Sequence, residues 1–227
     1  MASAKCWRRL RPGTDRLKQA ARILICAVLA LCATARADTA RVQLERFSDG
    51  LETLHARFEQ VVVSTDGKVQ DSSAGEVWLR RPDRFRWEYG GDFPEIVVAD
   101  GNVIWIYDEM LEQVTVKDPA ETEFSSPLSL LTDPDALEDA FEIREVGETD
   151  EARLLELRAR SMEVQFERFL LGMNGDSPVL IIIEDAFGLR TEIRFSEVER
   201  NVSLEDKLFE FTPPAGADVI GALPGSG

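Results

Sequence analysis

The stretch Gly75–Tyr89, GEVWLRRPDRFRWEY, constrains this chain more than any other. On a period of two, Val77, Leu79 and Arg81 share one strand face, and after the Arg-Pro-Asp turn Phe85, Trp87 and Tyr89 share another. The segment therefore reads as a β-hairpin with one apolar, aromatic face. Arg81 sits on that face as an anomaly, because an unpaired buried guanidinium is costly and must reach solvent or hydrogen-bond to something laid across the strand.

The residues before this hairpin differ sharply from those after it. Lys5, Arg8, Arg9, Arg11, Arg16, Lys18 and Arg22 precede an apolar run from Ile23 to Ala33, and Ala35-Arg36-Ala37 follows at an A-x-A spacing. This pattern predicts a secretory signal peptide over residues 1–37, since the apolar run is far shorter than the ~20 residues a membrane span needs. All three cysteines (Cys6, Cys26, Cys32) fall inside it, so the exported chain is expected to have no disulfide and no thiolate site. Ile25 and Leu31, rather than small residues, precede Cys26 and Cys32, which argues against a lipid-modified cysteine.

Cleavage after Ala37 would remove eight Lys/Arg and one Asp/Glu, taking the net charge from −16 to −23. Such acidity argues against nucleic acid and anionic bilayers as partners. The expectation is a soluble, monomeric domain over 38–227, exported to the periplasm.

Within that domain, Val42, Leu44, Phe47, Leu51 and Leu54 predict a helix over 39–54. Strand periodicity follows from Ala56, with a turn at Asp66-Gly67, and continues through 95–99, 102–107 and 111–116 with short connections. Short connections between consecutive strands require antiparallel neighbours. The pattern breaks at 117–124, a polar stretch, and beyond it Pro127 and Pro134 sit as first-turn prolines after Ser126 and Asp133, predicting short helices over 126–131 and 134–140. Strands resume at 141–146, 153–157, 164–171, 179–183 and 189–198, and Phe209-Glu210-Phe211 reads as a short edge element stopped by prolines.

About eleven strands in one antiparallel sheet must curl or close to protect their edges. The expected fold class is therefore α+β: one large antiparallel sheet that curls or closes, its concave face covered by short helices. A cover so small suggests an interior that can open.

Catalytic chemistry has little support. His55 is the sole histidine and has no thiolate partner, the acidic 133–140 segment lacks the alternating ligands and glycine of a calcium loop, and no phosphate-binding motif occurs. No metal, cofactor or enzymatic activity is expected. A hydrolase using strand-borne carboxylates, Glu76 with Glu88, is an alternative from another class. What the chain offers instead is apolar surface, namely Phe85, Trp87, Tyr89 and Trp105 with Leu128, Leu130 and Leu131 on the covering segment, suited to an apolar ligand.

The run Leu51–Gln60, the Arg-Arg-Pro-Asp-Arg-Phe of 80–85, Val98–Gly101 leading into Ile104–Tyr107, Leu111-Glu112-Gln113, Ser126-Pro127-Leu128 and the closing FEFTPPAG of 209–216 together resemble the LolA family of periplasmic outer-membrane lipoprotein carriers. The resemblance implies a helical lid over an unclosed barrel and a carrier without a cofactor. Its cargo would be acylated lipoproteins, taken from an inner-membrane ABC transporter and passed to an outer-membrane receptor. It also implies that Arg81 latches the lid by hydrogen bonds to its backbone and that Phe85 contacts cargo. Val77, Leu79, Trp87, Tyr89 and Trp105 would line the cavity, with Leu128, Leu130 and Leu131 on the lid. A same-fold module that binds lipid or senses envelope stress is the nearest alternative.

Overall fold

A computed structural model describes residues 38–119, 129–132, 134–160 and 166–221. The expected signal peptide lies outside these residues, and from Thr39 the chain forms a single unit. Helix α1 spans Ala40–Ser48, where the Thr39 hydroxyl accepts from the Val42 N–H as its N-cap. It stops six residues before the end expected from its periodicity. Gly50 adopts φ +62°, which breaks the helix, and Leu54, though buried, already belongs to the first strand.

The strands are β1 (Thr53–Val63), β2 (Val69–Arg80), β3 (Arg84–Gly90), β4 (Glu95–Asp100), β5 (Ile104–Asp108), β6 (Gln113–Lys117), β7 (Phe141–Glu148), β8 (Arg153–Ala159), β9 (Phe166–Asn174), β10 (Ser177–Asp185), β11 (Arg190–Arg200) and β12 (Asp218–Ile220). Two short helices, α2 (Ser129–Thr132) and α3 (Pro134–Ala140), interrupt the order between β6 and β7. All twelve strands form one sheet in the order β12-β6-β5-β4-β3-β2-β1-β11-β10-β9-β8-β7. The long β1–β11 ladder thus joins the two halves of the meander, and β7 and β12 remain as separate edges. The barrel is unclosed, as the family resemblance implies.

The C-terminal edge differs from expectation. Phe209–Phe211 is not a strand: Asp206–Phe209 forms a 3-10 turn, and the edge strand is β12, paired parallel to β6 through Asp218 with Gln113 and Ile220 with Thr115. The prolines at 213 and 214 do stop the chain from pairing, but only until Ala217.

Strand alternation sorts the side chains into two layers. The inner layer is one contiguous core that draws on both halves of the sheet, including Phe58, Val77, Leu79, Trp87, Leu155, Phe169, Ile181 and Phe195. On the outer face of β2–β5 the C-terminal segment forms a second layer. Arg80 reaches Asp206 and the Leu204 carbonyl and lies 5.0 Å over the Phe209 ring, while the Arg86 guanidinium donates to the Leu208 carbonyl at 3.4 Å.

Candidate functional site

The β2–β3 hairpin builds one wall of the inner layer. Val77 pairs with Trp87 and Leu79 with Phe85, and neighbouring β1 sets Phe58 opposite Gly75. Gly75 makes this approach possible, since a Cβ there would lie 1.8 Å from the Glu88 carbonyl oxygen and 3.0 Å from the Phe58 ring. Phe58 meets Trp87 edge-on at 4.7 Å and Tyr89 edge-on at 5.0 Å, Trp87 stacks on Tyr89 at 6.0 Å, and Phe195 of β11 closes the group at 6.4 Å from Trp87. Of the residues expected to line the cavity, Val77, Leu79 and Trp87 are buried in this wall, and Phe85 and Tyr89 pack against it.

Trp105 is placed elsewhere. It pairs with Val98, whose neighbour is Arg86, so it lies on the outer face, opposite Trp87 and Val97. There its ring meets Phe211 at 5.7 Å and its indole N–H donates to Asp100 at 3.0 Å. The outer face has its own apolar cover, which the alternation alone does not reveal.

The inner wall is covered by α1, α2 and α3. Leu131 of α2 and Leu137 of α3 are buried within the same core, with 0% and 1% exposure. Leu130 lies in α2, and Leu128 lies outside the described residues. Polar contacts hold α1 and α3 at their ends. The Glu145 carboxylate of β7 accepts from the N–H groups of Ala40 and Arg41 at 3.3 and 2.9 Å, placing an anion at the start of α1. Arg41 pairs with Glu138 of α3. Arg160, just past β8, donates from Nε to the carbonyls of Glu138 and Phe141 at 3.2 and 3.0 Å, while its backbone N–H donates to Ala140 at 3.0 Å. An arginine thus caps the C-terminal end of α3, where a cation is favoured. Sequence reading missed it, because Arg160 carries no motif and is brought to α3 only by strand pairing.

Arg81 lies one residue beyond β2, in the turn before β3, and is exposed. Its backbone N–H donates to the Glu52 carbonyl at 2.9 Å, and a cis bond joins it to Pro82. The strand face therefore ends at Leu79 and Arg80, and the electrostatic conflict expected of a guanidinium on that face does not arise.

At the opposite end of the wall the surroundings turn polar. Glu95 of β4 lies beside Tyr89 and across from Asp108 of β5. Burial, with Asp108 adding to it, raises the Glu95 carboxyl above the usual range, and burial together with Glu95 raises the Tyr89 phenol. On the outer face Glu76 and Glu88 are direct cross-strand neighbours rather than residues meeting across a cleft. His55 Nε2 lies 2.9 Å from Glu76, and Arg86 pairs with Glu88. Among the described residues no group of three His, Cys, Asp or Glu is placed to hold a metal, and no helix is long and apolar enough to cross a membrane.

The model of the family described as "Outer membrane lipoprotein carrier protein LolA" matches residues 49–212. An outer-membrane lipoprotein carrier protein of Dechloromonas aromatica is 40% identical over 179 residues, covering 79% of this chain and 86% of the relative. One from Alkalilimnicola ehrlichii is 36% identical over 209 residues, covering 88% and 96% respectively. Among solved structures, an uncharacterised conserved protein from Thermus thermophilus aligns with a TM-score of 0.54 at 16% identity, over 80% of this chain and 98% of its own.

Proposed function

Because the chain belongs to the LolA family of outer-membrane lipoprotein carriers, we propose that it carries acylated lipoproteins across the periplasm with their acyl chains held against the Phe58–Trp87–Tyr89 wall. In this reading residues 1–37 are the export signal, an inner-membrane ABC transporter supplies the cargo and an outer-membrane receptor takes it. The protein acts by binding and release, without covalent chemistry.

The observation that carries this reading is the cover: Leu131 and Leu137, on helices of four and seven residues, are buried in the same core as Trp87. Helices so short have little stability of their own and depend on that packing. Acyl chains that replaced Leu131 and Leu137 would meet the same apolar neighbours. At ~0.8 kcal/mol per buried methylene, the chains of one lipoprotein amount to tens of kcal/mol of transfer free energy, too much to expose to water. Displacing the chain's own leucines offsets part of that gain, so cargo is bound weakly enough to be passed on. The Arg160 and Arg41 contacts, with the Arg81 latch that the family resemblance implies, set the cost of opening.

Spheroplasts expressing an outer-membrane-directed lipoprotein and its transporter provide the test. The protein should release the triacylated lipoprotein in a soluble one-to-one complex. Its retention in the inner membrane despite added protein would refute the carrier reading.

A further inference from the structure

The barrel end bearing Tyr89 and Glu95 carries an apolar rim that the carrier reading leaves unused. Because Glu95 pairs with Asp108, the loop before β4 and the turn after β5 lie side by side, and the Glu109 N–H donates to the Pro94 carbonyl at 3.2 Å. On these two tips Phe93 is 74% exposed, Met110 64% and Leu111 67%. The β5–β6 turn is held in shape: the Leu111 N–H donates to Asp108 at 2.9 Å, and Glu112 adopts φ 48°, a left-handed conformation that is strained for an L residue. The chain thus holds two large apolar side chains out into water at a backbone cost, which is the mark of an interaction surface.

Charge narrows the occupant. Asp92 precedes Phe93, Glu109 and Glu112 bracket Met110 and Leu111, and all three acids are exposed. Acid-flanked apolar tips are repelled by an anionic bilayer but complement a protein face with an apolar pocket bordered by arginine or lysine. They are exposed while Leu131 and Leu137 fill the interior. A cargo donor meets a carrier in that closed arrangement, whereas an acceptor meets it opened around cargo.

We propose that the Phe93 and Met110-Leu111 tips dock the closed carrier on its cargo donor, seating in a cation-bordered apolar pocket on the periplasmic face of the lipoprotein-releasing transporter. The proposal rests on the carrier reading and names the surface that reading lacks.

Binding of the exported full-length protein to its purified, detergent-solubilised transporter, followed by biolayer interferometry, provides the test. Met110→Ser with Leu111→Ser should weaken binding at least about tenfold. It should leave circular dichroism, melting and retention of lipoprotein loaded from detergent unchanged. Glu109→Gln with Glu112→Gln should slow association and flatten its salt dependence. Wild-type affinity in the serine variant overturns the docking site while leaving the carrier reading intact. So does an equal loss of binding to phosphatidylethanolamine–phosphatidylglycerol vesicles, which would make the tips a membrane contact. Failure of the wild type to retain lipoprotein would instead strike the carrier reading itself.

Discussion

Arg160 Nε lies 3.2 Å from the Glu138 carbonyl oxygen, so an arginine past the end of β8 holds the end of the α3 cover by its backbone. The contact acts on the closed form alone, because an opened α3 presents its carbonyls to water. Arg160→Met should raise binding of a hydrophobic dye and cost about 1 kcal/mol or less, the pair being exposed. Arg81→Leu should leave the melting temperature within the small range of surface changes. Yet it should raise dye binding as Arg160→Met does; unchanged dye binding would remove Arg81 as a latch.

Leu137 is 1% exposed on a seven-residue helix. A Leu→Ala change in a core that unfolds as one costs ~2–5 kcal/mol. If α3 opens by itself, the effect on global unfolding is capped at the cost of that opening. Leu137→Ala should therefore speed hydrogen exchange across 134–140 while lowering global stability by less than that range. A full-sized global loss with slow exchange in α3 would mean a cover that does not open separately.

Gly75→Ala places a Cβ 1.8 Å from a backbone oxygen of β3, which no rotamer change relieves. The β2–β3 ladder must shift, and the Phe58 ring, 3.0 Å from the new Cβ, must give way against Trp87 and Tyr89. The expected cost is about 3 kcal/mol or more, measured by urea unfolding, with loss of near-ultraviolet dichroism from the aromatic group.

The Glu95 carboxyl is raised by burial and by Asp108, so the folded state favours its protonated form. The stability this contributes is full below the ordinary glutamate pKa and is lost as pH rises through the raised folded value. Glu95→Gln should accordingly make the protein more stable than wild type at neutral pH and flatten the stability profile on the acid side. A variant whose profile parallels wild type would show that Glu95 is not the titrating group.

Much of the architecture was legible because it rests on local rules. The turn before β3, the alternation of Val77, Leu79, Phe85, Trp87 and Tyr89, and the covering helix that starts at Pro134 follow from spacing and side-chain type. For Trp105 the cause is that a second apolar layer is invisible to a period-two argument. Trp105 reads as inward because it is large and apolar, but Phe211 returns to cover it from outside. Arg160 meets Glu138, and β12 meets β6, through pairings set by the whole sheet rather than by neighbouring residues. Arg81 falls off the expected strand face because β2 ends one residue before it.

That Trp87 and Trp105 lie on opposite faces gives the most direct test of where cargo sits. In two variants that keep one or the other as the sole tryptophan of the exported chain, emission is measured on loading with a lipoprotein whose acyl chains carry bromine. Quenching of Trp87 with Trp105 unaffected is the expected result. Trp105 quenched while Trp87 is spared would place the acyl chains on the outer face and contradict the account.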